Sequence, residues 1–223
     1  MQTDRLNMII RHISGGTVAD IGTDHAYIPV QLIKQKKARR VIATDVRQGP
    51  LEAAARSIAR AGVKGIELRL GSGLLPLKPQ ECDNIIIAGM GGELICTILK
   101  EGEKIAKSAS RLLLQPMNSQ DMLRDYLSKN GYRIICEDIV CEGFKVYNLI
   151  IACAGAGAVF RDEIDLHLPE YLREHHEFPA LASKKKREFS KILSGLERAK
   201  DRNEEEIARY RRLLQAAGRL AGK

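Results

Sequence analysis

The apolar residues of this 223-residue chain alternate between two periodicities from the N-terminus to about residue 153. Residues 4 to 14 carry Leu6, Ile9, Ile10 and Ile13 at helical spacing, with Arg5 and Arg11 off that face, and Ser14-Gly15-Gly16 ends the segment. Thr17 to Ile21 reads as a short buried strand. Gly22 lets the backbone turn sharply at its end, and Ala26 to Lys36 returns to helical spacing through Ile28, Leu32 and Ile33. The same reasoning predicts strands over 40–45, 66–70, 84–88 and 112–114, with helices over 50–61, 93–100 and 119–129. Pro50 stands in the favoured first turn of its helix. Residues 132–140 and 145–153 read as two further strands, joined by a hairpin around Glu142-Gly143.

Five rounds of strand and helix before a terminal hairpin predict an α/β fold, a doubly wound sheet whose last strands run antiparallel. The loops at 22, 45, 71, 89 and 115 all follow strands, so they should gather along one edge of that sheet. After a small-residue linker at 154–158 the pattern changes. Leu181, Phe189, Ile192, Leu193 and Leu196 form one seam; Ile207, Tyr210, Leu213 and Leu214 form a second; Asp201-Arg202-Asn203 is the bend between them. Two antiparallel helices, a coiled-coil hairpin, follow from this. The chain therefore divides into residues 1–157 and 158–223.

A hydrophobic share of 44% supports a packed core, and with no Trp and 4% aromatics that core is aliphatic. The formal charge of +8 suggests an anionic partner. It is shared between the parts: 21 Lys and Arg against 16 Asp and Glu in residues 1–157, and 15 against 12 in residues 158–223. Five cysteines without a CxxC pair predict neither a disulfide framework nor a zinc site, and imply a reducing compartment. No signal-peptide core or bilayer-length apolar run is present, so a cytoplasmic protein without membrane contact is expected. No obligate protein partner is evident from the residues.

The first turn carries the chemistry. A dinucleotide fold would place a second and a third glycine after Gly22, but Asp24 stands at the second position and Ala26 near the third. Asp20, Asp24 and Asp45 make the crevice acidic, which repels a diphosphate and attracts a cation. S-adenosylmethionine, with a positive sulfonium, a positive amino group and no phosphate, suits it better than NAD. Asp45 lies where a carboxylate accepts hydrogen bonds from a ribose. Gly71-Ser72-Gly73 and Gly89-Met90-Gly91-Gly92 are small enough for a ligand to approach the backbone. His25 is a candidate general base, and Tyr27 could stack on a base. The run Lys184-Lys185-Lys186-Arg187 is a candidate RNA contact. An NAD-dependent oxidoreductase and a non-catalytic RNA-binding protein on the same fold are the competing readings.

Five blocks then match a known family: Asp-Ile-Gly-Thr-Asp-His-Ala-Tyr-Ile-Pro (20–29), Asp-Val-Arg-Gln-Gly-Pro (45–50), Leu-Gly-Ser-Gly-Leu (70–74), Ile-Ala-Gly-Met-Gly-Gly (87–92) and Leu-Gln-Pro-Met-Asn (114–118). With them, the chain resembles the bacterial tRNA (adenine-22-N1)-methyltransferases over nearly its whole length. The resemblance implies a Rossmann-like class I methyltransferase sheet with a C-terminal coiled coil that binds tRNA, and methylation of N1 of an adenine in the D-arm region. It implies S-adenosyl-L-methionine as cofactor, held by Asp20, Gly22, Thr23, Asp45, Val46, Gly71, Ser72, Gly73, Ala88, Gly89, Met90 and Gly91. Asp24, His25, Tyr27 and Gln115 would face the target base, and Arg5, Arg11 and Lys184 to Arg187 would meet RNA. Ser72 and Asn148 depart from the family pattern, which would place an acid at each.

Overall fold

The computed structural model describes residues 3–157 and 159–222. Ala158, the first residue of the expected second part, lies outside them. Seven strands form one sheet in the order β3-β2-β1-β4-β5-β7-β6. The strands are β1 Thr17–Ile21, β2 Arg40–Asp45, β3 Ile66–Leu70, β4 Asn84–Met90, β5 Arg111–Pro116, β6 Tyr132–Glu142 and β7 Lys145–Ala154. Strands β1 to β5 pair in parallel, and β7 runs antiparallel to β5. Strand order reverses between β1 and β4, so the crevice of this doubly wound sheet opens beyond the carboxyl ends of those two strands. The central strands bury nearly every residue, as parallel strands covered on both faces do.

Among the described residues, six helices belong to the sheet region: α1 Asp4–Arg11, α2 Tyr27–Lys34, α3 Gln48–Ala61, α4 Gly92–Glu101, α5 Glu103–Ser108 and α6 Gln120–Lys129. Two are shorter than their apolar spacing predicts. The first stops at Arg11 instead of residue 14, and the second begins after Ala26, whose left-handed backbone (φ 53°) excludes it from the helix. Helix α5, only six residues and under two turns long, is too short for apolar periodicity to mark it. One core layer packs Ile85, Ile87, Leu112 and Leu114 against Ile95, Leu99, Leu123 and Leu127. Within this unit Arg124 of α6 is wholly buried and bidentate to Glu137 of β6 (2.7 Å for each bond). Asn148 is equally buried, with neither amide atom bonded among the described residues; nothing in the structure explains it.

The chain separates into two compact units, one of residues 1–138 and 147–158, the other of residues 139–146 and 159–223. The tip of the β6–β7 hairpin thus groups with the C-terminal part. The second unit contains α7 Glu163–His167, a 3-10 turn Glu170–Leu172, α8 Phe178–Arg198 and α9 Glu204–Ala221. Helices α8 and α9, joined by five residues, pack as a hairpin around Leu181, Phe189, Leu213 and Ala217, with Ile139 and Val146 in the same cluster. Ile192, expected in the seam, is instead 41% exposed. It directly precedes Leu193, and one residue turns a helix by about 100°, so the two cannot share the inward stripe.

Candidate active site

The backbone of residues 22–26 is wound tightly. Gly22 has φ 73°, and Asp24 and Ala26 also take left-handed values, 50° and 53°. The Gly22 and Thr23 N–H groups both donate to the Thr44 carbonyl (2.9 Å), which ties the turn to the end of β2. A Cβ at Gly22 would lie 2.3 Å from the Met90 methyl, the end of a flexible side chain that can move aside, so it is the left-handed backbone that favours glycine here. At the end of β4 the ladder to β5 slips between Ala88 and Met90. Gly89, left over by this bulge, donates its N–H to Gln115 Oε1 (3.1 Å), and Arg5 donates to the same oxygen (2.9 Å).

Two cavities open where these segments meet. The first, about 370 Å³, has Gly22, Asp24, Thr44, Asp45, Val46, Arg47, the 71–73 loop and Ala88 to Met90 on its walls, with Leu94 and Ile98 of α4. The second, about 410 Å³, is lined by Arg5, Asp20, Thr23, Asp24, His25, Tyr27, Ala88 and Gly89, among others. Gly22, Asp24, Ala88 and Gly89 are common to both, so the cavities adjoin.

Electrostatically the site is a mixed one. Burial pushes the Asp20 carboxyl up to about 6; the Thr23 hydroxyl opposes the rise and the Asp45 carboxylate adds to it. Asp45 is nearly buried and accepts from the Arg47 N–H (3.0 Å). Asp24 and His25 are open to solvent, 3.7 Å apart. Burial also raises the Tyr27 hydroxyl. The Thr44 hydroxyl, buried beside the first cavity, has no hydrogen-bond partner among the described residues.

Most of the expected cofactor residues thus come together around one opening. Asp20 and Thr23 lie on the second cavity instead of the first, and Gly91 lines neither, being the residue that precedes α4. Of the residues expected to face the target base, Asp24, His25 and Tyr27 share the second cavity. Gln115 does not: it is wholly buried behind Gly89, its amide committed to Gly89, Arg5 and the Pro116 carbonyl. The resemblance implies that Gln115 faces the base, but its side chain is buried under the β4 bulge, where Gly89 N–H donates to it. Arg5 lines the second cavity, whereas Arg11 is paired with Asp138. Lys185 is buried, and Lys184 donates to the Val146 carbonyl (3.0 Å). Arg47, Leu94 and Ile98 were missed; only Arg47, two residues past Asp45, had a local signal.

Residues 2–150 match the model of a methyltransferase domain. A tRNA (adenine(22)-N(1))-methyltransferase of Bacillus subtilis is 39% identical over 164 residues, covering 73% of this chain and 69% of that protein. The chain belongs to the tRNA (adenine(22)-N(1))-methyltransferase family. Family members superpose over essentially the whole chain. The crystal structure of the B. subtilis m1A22 tRNA methyltransferase matches with a TM-score of 0.85 at 28% identity, covering 99% of each chain. Sp1610 of Streptococcus pneumoniae, solved in complex with S-adenosyl-L-methionine, matches with a TM-score of 0.86 at 30% identity, covering 99% of this chain and 100% of that one. These full-length matches include the C-terminal helices, beyond the reach of the domain model.

Proposed function

We propose that this protein transfers a methyl group from S-adenosylmethionine to N1 of adenine 22 in the D-arm region of tRNA. The observation that carries the reading is the pair of adjoining cavities at the strand-order reversal, with Asp24 on the wall of both. The residues of the first cavity fit the cofactor. Asp24 and Asp45 are carboxylates for its positive groups and its ribose, and Val46, Met90, Leu94 and Ile98 are an apolar surround. The unpartnered Thr44 hydroxyl can still make a hydrogen bond there. When bound, S-adenosylmethionine supplies an electrophilic methyl group on a positively charged sulfur. Ser72 would meet the adenine with a neutral hydroxyl where the family resemblance implies an acid, so that hydrogen bond is not charge-assisted.

The second cavity takes the target base, with Tyr27 as its aromatic wall. Adenine N1 has an in-plane lone pair and can attack without first losing a proton. The chain's main work is therefore placement, which contributes about 7–11 kcal/mol in well-aligned reactions. Asp24 can face positive charge in either cavity and so stabilise its passage to the base. N1 is also a pairing atom, so the base has to be unpaired or turned outward, at a cost of a few kcal/mol. Phosphate contacts from Lys186 and Arg187 of the second unit offset that cost. A cytoplasmic location, with tRNA as partner, belongs to the same reading.

The test is methyl transfer from labelled cofactor to a tRNA transcript with adenine at position 22 and to the same transcript with guanine there. Methylated adenine mapped to position 22 in the first transcript alone supports the reading. No transfer, or transfer to both transcripts, overturns it.

A further inference from the structure

We infer that the second unit carries a binding track for single-stranded RNA, in which one face of α8 holds phosphates and Phe144, at the hairpin tip, stacks on an unpaired base. This rests on the tRNA reading above and adds the place where the unpaired part of the RNA is held.

The face is defined by spacing. Ser183, Lys186, Arg187, Ser190, Lys191, Ser194, Gly195 and Arg198 stand at intervals of three and four, so they form one stripe along α8 about 22 Å long. They line a groove of about 910 Å³ whose far wall is the end of α9. No acidic side chain lines it, and among the described residues none of its four cations has an ion-pair or hydrogen-bond partner. Lys184 and Lys185 of the same helix, by contrast, both lie near Glu188. The groove's cations are the ones left for something else.

Two glycines point the same way. Gly195 and Gly218 lie inside helices, where glycine is less stable than alanine. A Cβ on either would meet nothing within 4 Å, so packing does not require them. Their effect is to keep the groove open for close approach of another backbone.

Phe144 supplies the second half of the site. It is fully exposed, where a phenylalanine gains nothing for folding. It lines a cavity of about 540 Å³ with Cys141, Gly143, Val146 and Ala180, and this cavity shares Ser183 and Arg187 with the groove. The Lys184 bond to the Val146 carbonyl fastens the hairpin to α8, so the ring sits on a fixed base at one end of the stripe. Aromatic faces beside a row of cations are how proteins hold unpaired nucleotides: the bases stack and the phosphates follow the charge. Serine hydroxyls and arginine forks both suit phosphate oxygens.

The experiment uses the full chain and measures affinity for a tRNA transcript by fluorescence anisotropy over a range of salt. Phe144→Ala is expected to weaken binding by about fivefold to a hundredfold. Phe144→Trp should restore it and Phe144→Leu should not, because stacking needs a π-face. Binding to a blunt, fully paired RNA duplex should not change with Phe144→Ala. Replacing Lys186, Arg187, Lys191 and Arg198 together by Gln should flatten the log–log salt dependence by about 2.8, roughly 0.7 for each single-strand phosphate contact. Cofactor affinity in every variant checks folding. Wild-type tRNA affinity in Phe144→Ala, or rescue by Leu, overturns the inference. So does capture of an acidic helical peptide with the same salt dependence and no response to Phe144, which would assign the groove to a protein partner. If the wild-type protein methylates adenine 22 while the variants bind normally, this inference falls and the enzymatic reading stands. If the variants lose RNA affinity but no methyl transfer occurs, the track stands and the enzymatic reading falls.

Discussion

The buried cations of the first unit and the α8 groove cations of the second are held in opposite ways. In the first, Arg124 is taken wholly out of water and clamped to Glu137, and Arg5 is drawn to Gln115 and lies over the Tyr147 ring (5.6 Å to its centre). In the second, Lys186, Arg187, Lys191 and Arg198 stand in an open groove with no partner among the described residues. A buried, paired cation fixes geometry, and removing its partner leaves a desolvated charge. An exposed cation contributes little to stability and stays available to a polyanion through counterion release. The Arg124 pair commits charge to shape and the α8 groove keeps it for binding, although other cations of the second unit, such as Arg209 and Arg211, are paired with Glu163 and Glu197.

The sharpest way to break this contrast is to remove a partner in the first unit. Glu137→Gln should destabilise the protein by about 3–5 kcal/mol in denaturant unfolding, because Arg124 keeps its charge without a carboxylate. A loss under 1 kcal/mol would mean the pair is not desolvated. Next, Asp24→Asn should slow methyl transfer by about 10²–10³-fold in single-turnover measurements while tRNA affinity holds, since the carboxylate lines both cavities. Unchanged single-turnover rates would remove Asp24 from the chemistry.

Asp20 tests the acidic counterpart. Its folded pKa, about 6, lies above the ordinary value of 3.8, so its contribution is fully present below about pH 4 and is lost as pH rises through 6. Asp20→Asn should therefore stabilise the protein at pH 8, by up to about 3 kcal/mol, and have little effect at pH 4. An equal effect at both pH values would show that the carboxyl does not titrate as described. The smallest effect belongs to the second unit. Lys191→Gln should change folding stability by no more than about 0.5 kcal/mol, and a larger loss in thermal unfolding would mean that this lysine is structural after all.

How much of the site could be read beforehand depended on distance along the chain. Gly22, Asp45 and Gly89 were legible because each ends a strand whose apolar run is visible locally. Gln115 was not, because its burial depends on bonds to Gly89, 26 positions earlier, and to Arg5, 110 positions earlier. Lys184 to Arg187 read as one basic patch, but four consecutive residues span most of a helical turn. Only Lys186 and Arg187 reach the groove. The tip residue Phe144 had no local signal, since a lone aromatic in a turn looks like any other.

By itself the sequence determined the order of the seven strands and of the longer helices, the sheet edge where the ligand loops collect, and the acidic character of the first turn. Those properties are carried by residues a few positions apart, through side-chain periodicity and the backbone freedom of glycine. Only the tertiary structure decided which side chains share a wall. Arg5 meets Gln115 across 110 positions, Asp24 comes to serve two cavities, and residues 139–146 join the C-terminal unit. Such neighbours are set by long-range packing, which leaves no periodic trace in the chain.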